Sequence, residues 1–261
     1  MHFKLVVRRL IRERPLAGFD NFKSYFYRKN GLEVGGPSPI FSSNSILPIY
    51  GIAENIDNCD FSSEILWRGK IVEGLTYKFH RDKVGHQLIG EATDLKDIEN
   101  ESYDFVISSH VLEHVANPLK ALFEWKRVLK GGGALLLVCP HKECTFDHNR
   151  PVTKLSHLIQ DYENEVDESD LSHLPEILKH HDLSMDPGAG TFEDFVARSK
   201  DNFKNCCLHH HVFITETVIR MIDFVGLKIL FVSTYPPSHI IVIARKLMGN
   251  ESSSLGLDKN G

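Results

Sequence analysis

Residues 29–41, KNGLEVGGPSPIF, constrain the architecture more than any other stretch of this 261-residue chain. The apolar run through Leu32 and Val34 reads as a short strand over 31–34, and Gly35, Gly36 and Pro37 force a sharp turn at its end. Adjacent glycines adopt backbone angles closed to other residues and let a ligand approach the main chain. Further on, YDFVISSHVLEHVANP (103–118) and VLKGGGALLLVCP (128–140) supply a second strand, a helix and a third strand. Together these stretches predict an α/β fold with a parallel sheet, and small molecules bind in the crevice at the strand ends of such sheets.

The clearest strand is 103–108, where Phe105, Val106 and Ile107 form a buried run. Asn117 suits the cap and Pro118 the first turn of the next helix, with Leu119, Leu122, Phe123, Val128 and Leu129 facing the core. Glycines 131–133 should stop that helix before a strand over 134–139. Thr215 begins a last helix, Gly226 ends it, and strands over 227–232 and 240–244 predict an antiparallel edge hairpin. Residues 37–48 suit a loop, and 61–83 a helix or loop covering the sheet.

The expected organisation is a basic helical segment (1–28), a main domain (29–248) with an insertion (141–213), and a polar tail (249–261). Residues 1–29 carry Lys4, Arg8, Arg9, Arg12, Arg14, Lys23, Arg28 and Lys29 against Glu13 and Asp20. Such an end suits a weak peripheral membrane contact, a phosphorylated substrate or a partner, or simply a solvated helix face. Net charge of -5 argues against broad nucleic-acid binding. No run approaches the roughly 18 apolar residues that span a bilayer. Five cysteines at 59, 139, 144, 206 and 207, an odd count without zinc or disulfide spacing, favour a reducing compartment, so a cytoplasmic location is expected. The aromatic run Tyr25, Phe26 and Tyr27 cannot all face one side of a helix; it suits burial, a cofactor cover or a homodimer contact.

LEVGG, the acidic end of the second strand, ATDL, YDFVISSHVLEHV, VLKGGGALLLVCP and FITETVIRMIDFVGLKI occur in the order found in class I S-adenosylmethionine-dependent methyltransferases, which the chain resembles over 32–140 and 213–244. The insertion resembles that of small-molecule and surface-polysaccharide biosynthetic members. The resemblance implies a Rossmann-like, mostly parallel seven-stranded sheet and S-adenosylmethionine as cofactor. It implies that Glu33, Gly35 and Gly36 lie by the methionine end, Asp57 at the ribose, Asp94 and Leu95 at the adenine, and Ser109 and His110 beside the donor methyl. Asp60 competes with Asp57, and Pro37, Ser38 and Pro39 stand where the family carries its further glycine.

Methyl transfer to a hydroxyl requires an aligned acceptor and removal of a proton, which suits histidine with its pKa of about 6.5. His141, after a strand at its ligand-facing end, is the leading base, with His148 and His110 as alternatives. Arg150 could hold a phosphate, carboxylate or sugar substituent, or form a salt bridge to the acidic stretch 161–170. His209 and His211 alternate faces with His210, so they could point together toward an acceptor, or with Asp147 or His148 toward a divalent metal. The expected acceptor is a small molecule, a hydroxyl of a sugar, sugar nucleotide or phosphorylated capsule precursor. Nitrogen or phosphate-linked acceptors and a noncatalytic binding module are the alternatives.

Overall fold

The computed structural model describes residues 14–65, 69–236, 238–249 and 251. Residues 1–13 of the expected basic helical segment and most of the polar tail lie outside them, and the described part of that segment forms 3-10 turns at Phe19–Asn21 and Lys23–Tyr25 rather than a continuous helix. In chain order the strands are β1 (Asn30–Val34), β2 (Asn55–Asp60), a small separate pair β3 (Glu64–Ile65) and β4 (Gly69–Lys70), β5 (Gly74–His80), β6 (Lys83–Ile89), β7 (Tyr103–Ser109), β8 (Leu129–Pro140), β9 (Lys228–Tyr235) and β10 (His239–Arg245). The main sheet runs β5-β6-β2-β1-β7-β8-β10-β9. Its centre is parallel, with Leu32 opposite Asp57 on one side and Val106 on the other. The hairpin β9/β10 is antiparallel, as expected, and β10 also pairs antiparallel with β8.

The sheet has eight strands rather than seven. The addition is β5, in the segment expected to be a helix or loop, and it pairs antiparallel with β6. Tyr77 and Phe79 are buried while Thr76 and Lys78 are exposed, the period-two alternation of a strand. That pattern covers only four residues and is diluted by the exposed Leu75.

One face is covered by helices. In α1 (Pro118–Val128) the Asn117 side chain accepts from the Lys120 amide, and Leu119, Leu122, Trp125 and Val128 are fully buried. Glycines 131–133 do not separate this helix from a strand: β8 begins at Leu129, and the pairing with β7 jumps from Leu129 opposite Tyr103 to Ala134 opposite Phe105. The glycines therefore sit in a bulge, where a side chain at Gly133 would meet the Asp104 carbonyl at 2.8 Å. The opposite face is closed mainly by loops and 3-10 turns. Phe26 packs edge-on to Phe105 with ring centroids 5.3 Å apart, while Tyr27 stays exposed, so the aromatic run does split between surroundings. The insertion carries α2 (Leu155–Glu163), α3 (Leu174–His180) and α4 (Phe192–Lys200), and α5 (Thr215–Phe224) follows it. Among the described residues no helix is long and apolar enough to cross a membrane.

Candidate active site

The parallel strands β1, β2 and β7 end together at the glycine turn. Gly35 takes φ +81°, and a side chain there would lie 2.3 Å from Val111 Cγ2, so the turn rests against the corner after β7. The Gly35 amide donates to the Cys59 carbonyl and the Gly36 amide to Asn58 Oδ1, which ties the turn to the end of β2. Glu33 is fully buried beneath it. Its carboxylate accepts from Tyr50 Oη at 2.8 Å, Tyr77 Oη at 2.5 Å and the Ser38 amide at 3.0 Å. Burial pushes its pKa up to about 7, against the pull of those donors. Glu33, expected at the methionine end of the cofactor, here fastens the loop through these hydrogen bonds.

The two acids of β2 separate clearly. Asp57 lies three residues before the strand end, with Oδ1 accepting from Asn55 and the His86 amide and Oδ2 from Tyr103. Asp60 ends the strand, beside the turn, where Asn58 and Gln87 donate to it. Of the two acids, Asp60 is thus the one nearer the glycine turn, and Asp57 lies mid-strand. After β6, Asp94 is exposed and Leu95 is in the core, with the Leu95 backbone bound by Glu124 and Arg127.

At the end of β7, Ser108 donates to the Val34 carbonyl, and Ser109 and His110 are half-buried. His110 adopts φ +55°. Its Nε2 lies 2.9 Å from His239 Nδ1, and its Nδ1 lies 3.8 Å from Glu113 Oε1. Burial and then the neighbouring histidines push the His110 pKa down to about 4. Glu113 is 1% exposed, neither carboxylate oxygen accepts a hydrogen bond, and burial raises its pKa to about 7. Glu113, His114 and His209 also offer one ligand atom each within 4.8 Å of one another, a set able to hold a cation.

His141, the leading base by sequence, follows β8 as expected, but its Nδ1 accepts from the Glu143 amide and caps a 3-10 turn. His148 lies further into the insertion, with Nδ1 at the Thr145 carbonyl and Nε2 3.7 Å from Asp182. Arg150 is 1% exposed, and its donors go to Glu176, Asp147 and the His209 and His210 carbonyls. Its guanidinium is therefore consumed inside the protein, which corrects the expected substrate contact: Arg150 pins the histidine run. Asp147 joins His209, as one metal arrangement anticipated, and the His209 and Arg150 charges hold its pKa down to about 2 despite burial. His209 and His211 do not share a site, however. His209 faces Glu113 and His114, whereas His211 belongs to a separate group with His157, Asp161 and His173, and both are too buried for direct acceptor contact.

Sequence reasoning passed over Glu113 and His239. The available signal was local: an acid inside the apolar run VLEHV, and a histidine opening the strand HIIVIAR.

Residues 51–137 match the family model described as a methyltransferase domain, a stretch spanning β2 through most of β8. No curated protein matches the chain in sequence. Among solved structures, an S-adenosylmethionine-dependent methyltransferase from Mesorhizobium loti is 14% identical, with 87% of this chain and 95% of that one covered and a TM-score of 0.50. One from Methanosarcina mazei is 16% identical, with 90% and 100% covered and a TM-score of 0.47. At such identity the likeness concerns the fold, which is that of Rossmann-like methyltransferases.

Proposed function

We propose that this chain, whose fold and domain match support S-adenosylmethionine-dependent methyl transfer, methylates a hydroxyl of a sugar, sugar nucleotide or phosphorylated capsule-type precursor. The observation that carries the reading is the corner after β7. There His110 stands beside the Gly35 turn, paired with His239 at 2.9 Å and backed by the Glu113 carboxylate at 3.8 Å. The bound donor supplies a methyl group on a sulfonium that leaves as a neutral thioether. Asp60 fits the ribose side because a carboxylate at a strand end beside a glycine turn can accept from two hydroxyls. Asp94 and Leu95 fit the adenine edge, and Ser109 and His110 the methyl side.

The work left to the protein is alignment and proton removal. His110 is neutral at pH 7 because burial disfavours its charged form, so it can take the hydroxyl proton together with His239. Glu113 acts through His110 as a positioning residue and offsets the imidazolium charge that forms. His141 is assigned to the acceptor mouth and Asp57 to the scaffold.

Calorimetric titration with S-adenosylmethionine and S-adenosylhomocysteine, with NADH as control, tests the cofactor, and sugar nucleotides then open the acceptor screen. Binding of both sulfur ligands, followed by turnover that His110→Asn abolishes without loss of binding, is expected. Turnover of amines alone, indifferent to His110→Asn, would replace the hydroxyl reading with N-methylation. Folded protein that binds neither ligand would point to a noncatalytic module.

A further inference from the structure

Apart from the β7 corner, the insertion gathers three histidines and an aspartate from segments distant in sequence. His157 and Asp161 stand four residues apart on one face of α2, His173 immediately precedes α3, and His211 comes from the run pinned by Arg150. Each offers one ligand atom within 4.8 Å of the others. His157 Nε2 is 3.0 Å from His173 Nε2 and 3.5 Å from Asp161 Oδ2, and His211 Nε2 is 3.8 Å from that same oxygen.

Ligands about 2.0–2.1 Å from a tetrahedral zinc ion are separated by roughly 3.3 Å, inside the range of these spacings. The polar bookkeeping points the same way. Asp161 Oδ2 is buried without a hydrogen-bond partner, and the His211 Nε2 that faces it can turn its lone pair to a metal by giving up its 3.0 Å contact with the Ala116 carbonyl. A carboxylate oxygen in that position costs free energy unless something positive meets it.

We propose that His157, Asp161, His173 and His211 form a structural zinc site that fastens α2, the acidic loop and the histidine run into one unit. Three imidazoles and one carboxylate suit zinc better than calcium or magnesium, which favour oxygen-only ligation. The half-exposed His157 ring gives the ion a path from solvent. The site is separate from the Glu113 group and does not depend on the methyl-transfer reading.

The test uses the full chain, purified without chelator. About one equivalent of zinc by elemental analysis should survive dialysis, and cobalt in its place should give the intense visible absorption of a tetrahedral site. His157→Asn, a surface-side change checked for folding by circular dichroism, should weaken zinc binding at least a hundredfold, while His148→Asn should not alter it. Should an Asp161→Asn variant fail to fold, cobalt titration of the wild-type and His157→Asn proteins still decides the matter. Folded wild-type protein that takes up neither zinc nor cobalt overturns the proposal, as does metal binding unchanged by His157→Asn.

Discussion

Glu33 and Glu113 are two carboxylates with nearly the same burial and opposite circumstances. Both are at most 1% exposed, and burial lifts both to about pKa 7. Glu33 accepts from two tyrosines and a backbone amide, whereas neither oxygen of Glu113 has a hydrogen-bond partner. Burial and pKa alone would rank the two as equal functional candidates. The partner count separates them: a satisfied buried acid holds structure, and an unsatisfied one is held ready for something else.

The largest effect should come from Glu33. Glu33→Ala leaves Tyr50, Tyr77 and the Ser38 amide without their acceptor, at a cost of about 3–5 kcal/mol, or a fall in Tm of roughly 10 °C. Urea unfolding would measure it, and a change below about 1 kcal/mol would refute the loop-fastening role. Glu113→Gln should instead leave the urea midpoint nearly unchanged at about pH 4.5, where the carboxyl is protonated folded and unfolded, and should leave S-adenosylmethionine binding nearly unchanged while lowering kcat roughly 100-fold at pH 7. Equal stability losses in the two variants would break the comparison.

The parallel core was legible because its strands and α1 carry strong local signals, such as Phe105–Val106–Ile107 and the Asn117–Pro118 cap. β5 was not, because edge strands bury few residues and leave little pattern. The site was legible as a place more than as a set of groups. Gly35, Ser109 and His110 do converge, but the fates of Glu33, Arg150, His209 and His211 depend on partners 17 to 95 residues away. Spacing along the chain could not reveal that Arg150 would be consumed by the backbone of the histidine run.

Titration offers a second way to sharpen the contrast. A carboxyl whose folded pKa lies above its unfolded value binds more protons in the folded state, so its contribution is complete below about pH 4.5 and is lost as pH rises to about 7. Each of the two acids should remove roughly 3 kcal/mol across that window. Glu113→Gln should therefore remove one such contribution while keeping the fold, read as the difference between the wild-type and variant curves, because buried histidines such as His110 titrate with the opposite sign in the same window. Activity should climb through about pH 7 as Glu113 ionises behind His110, and this limb should vanish in the same variant. A slope unchanged by Glu113→Gln would show that the carboxyl is not desolvated in the folded protein.

The smallest expected effect turns on the positions of the two acids of β2, both of which are hydrogen-bonded. Asp57 spends both oxygens on Asn55, His86 and Tyr103 in mid-strand, whereas Asp60 ends the strand beside the glycine turn. Asp60→Asn should weaken S-adenosylmethionine binding about tenfold, which is roughly 1.4 kcal/mol. Asp57→Asn should leave the affinity within about twofold, because the lost charge serves the scaffold and its effect falls on stability. Calorimetry on both variants ranks them directly. The reverse ranking would return the ribose to Asp57 and would mean that Tyr103 and His86 release that carboxylate when the cofactor enters.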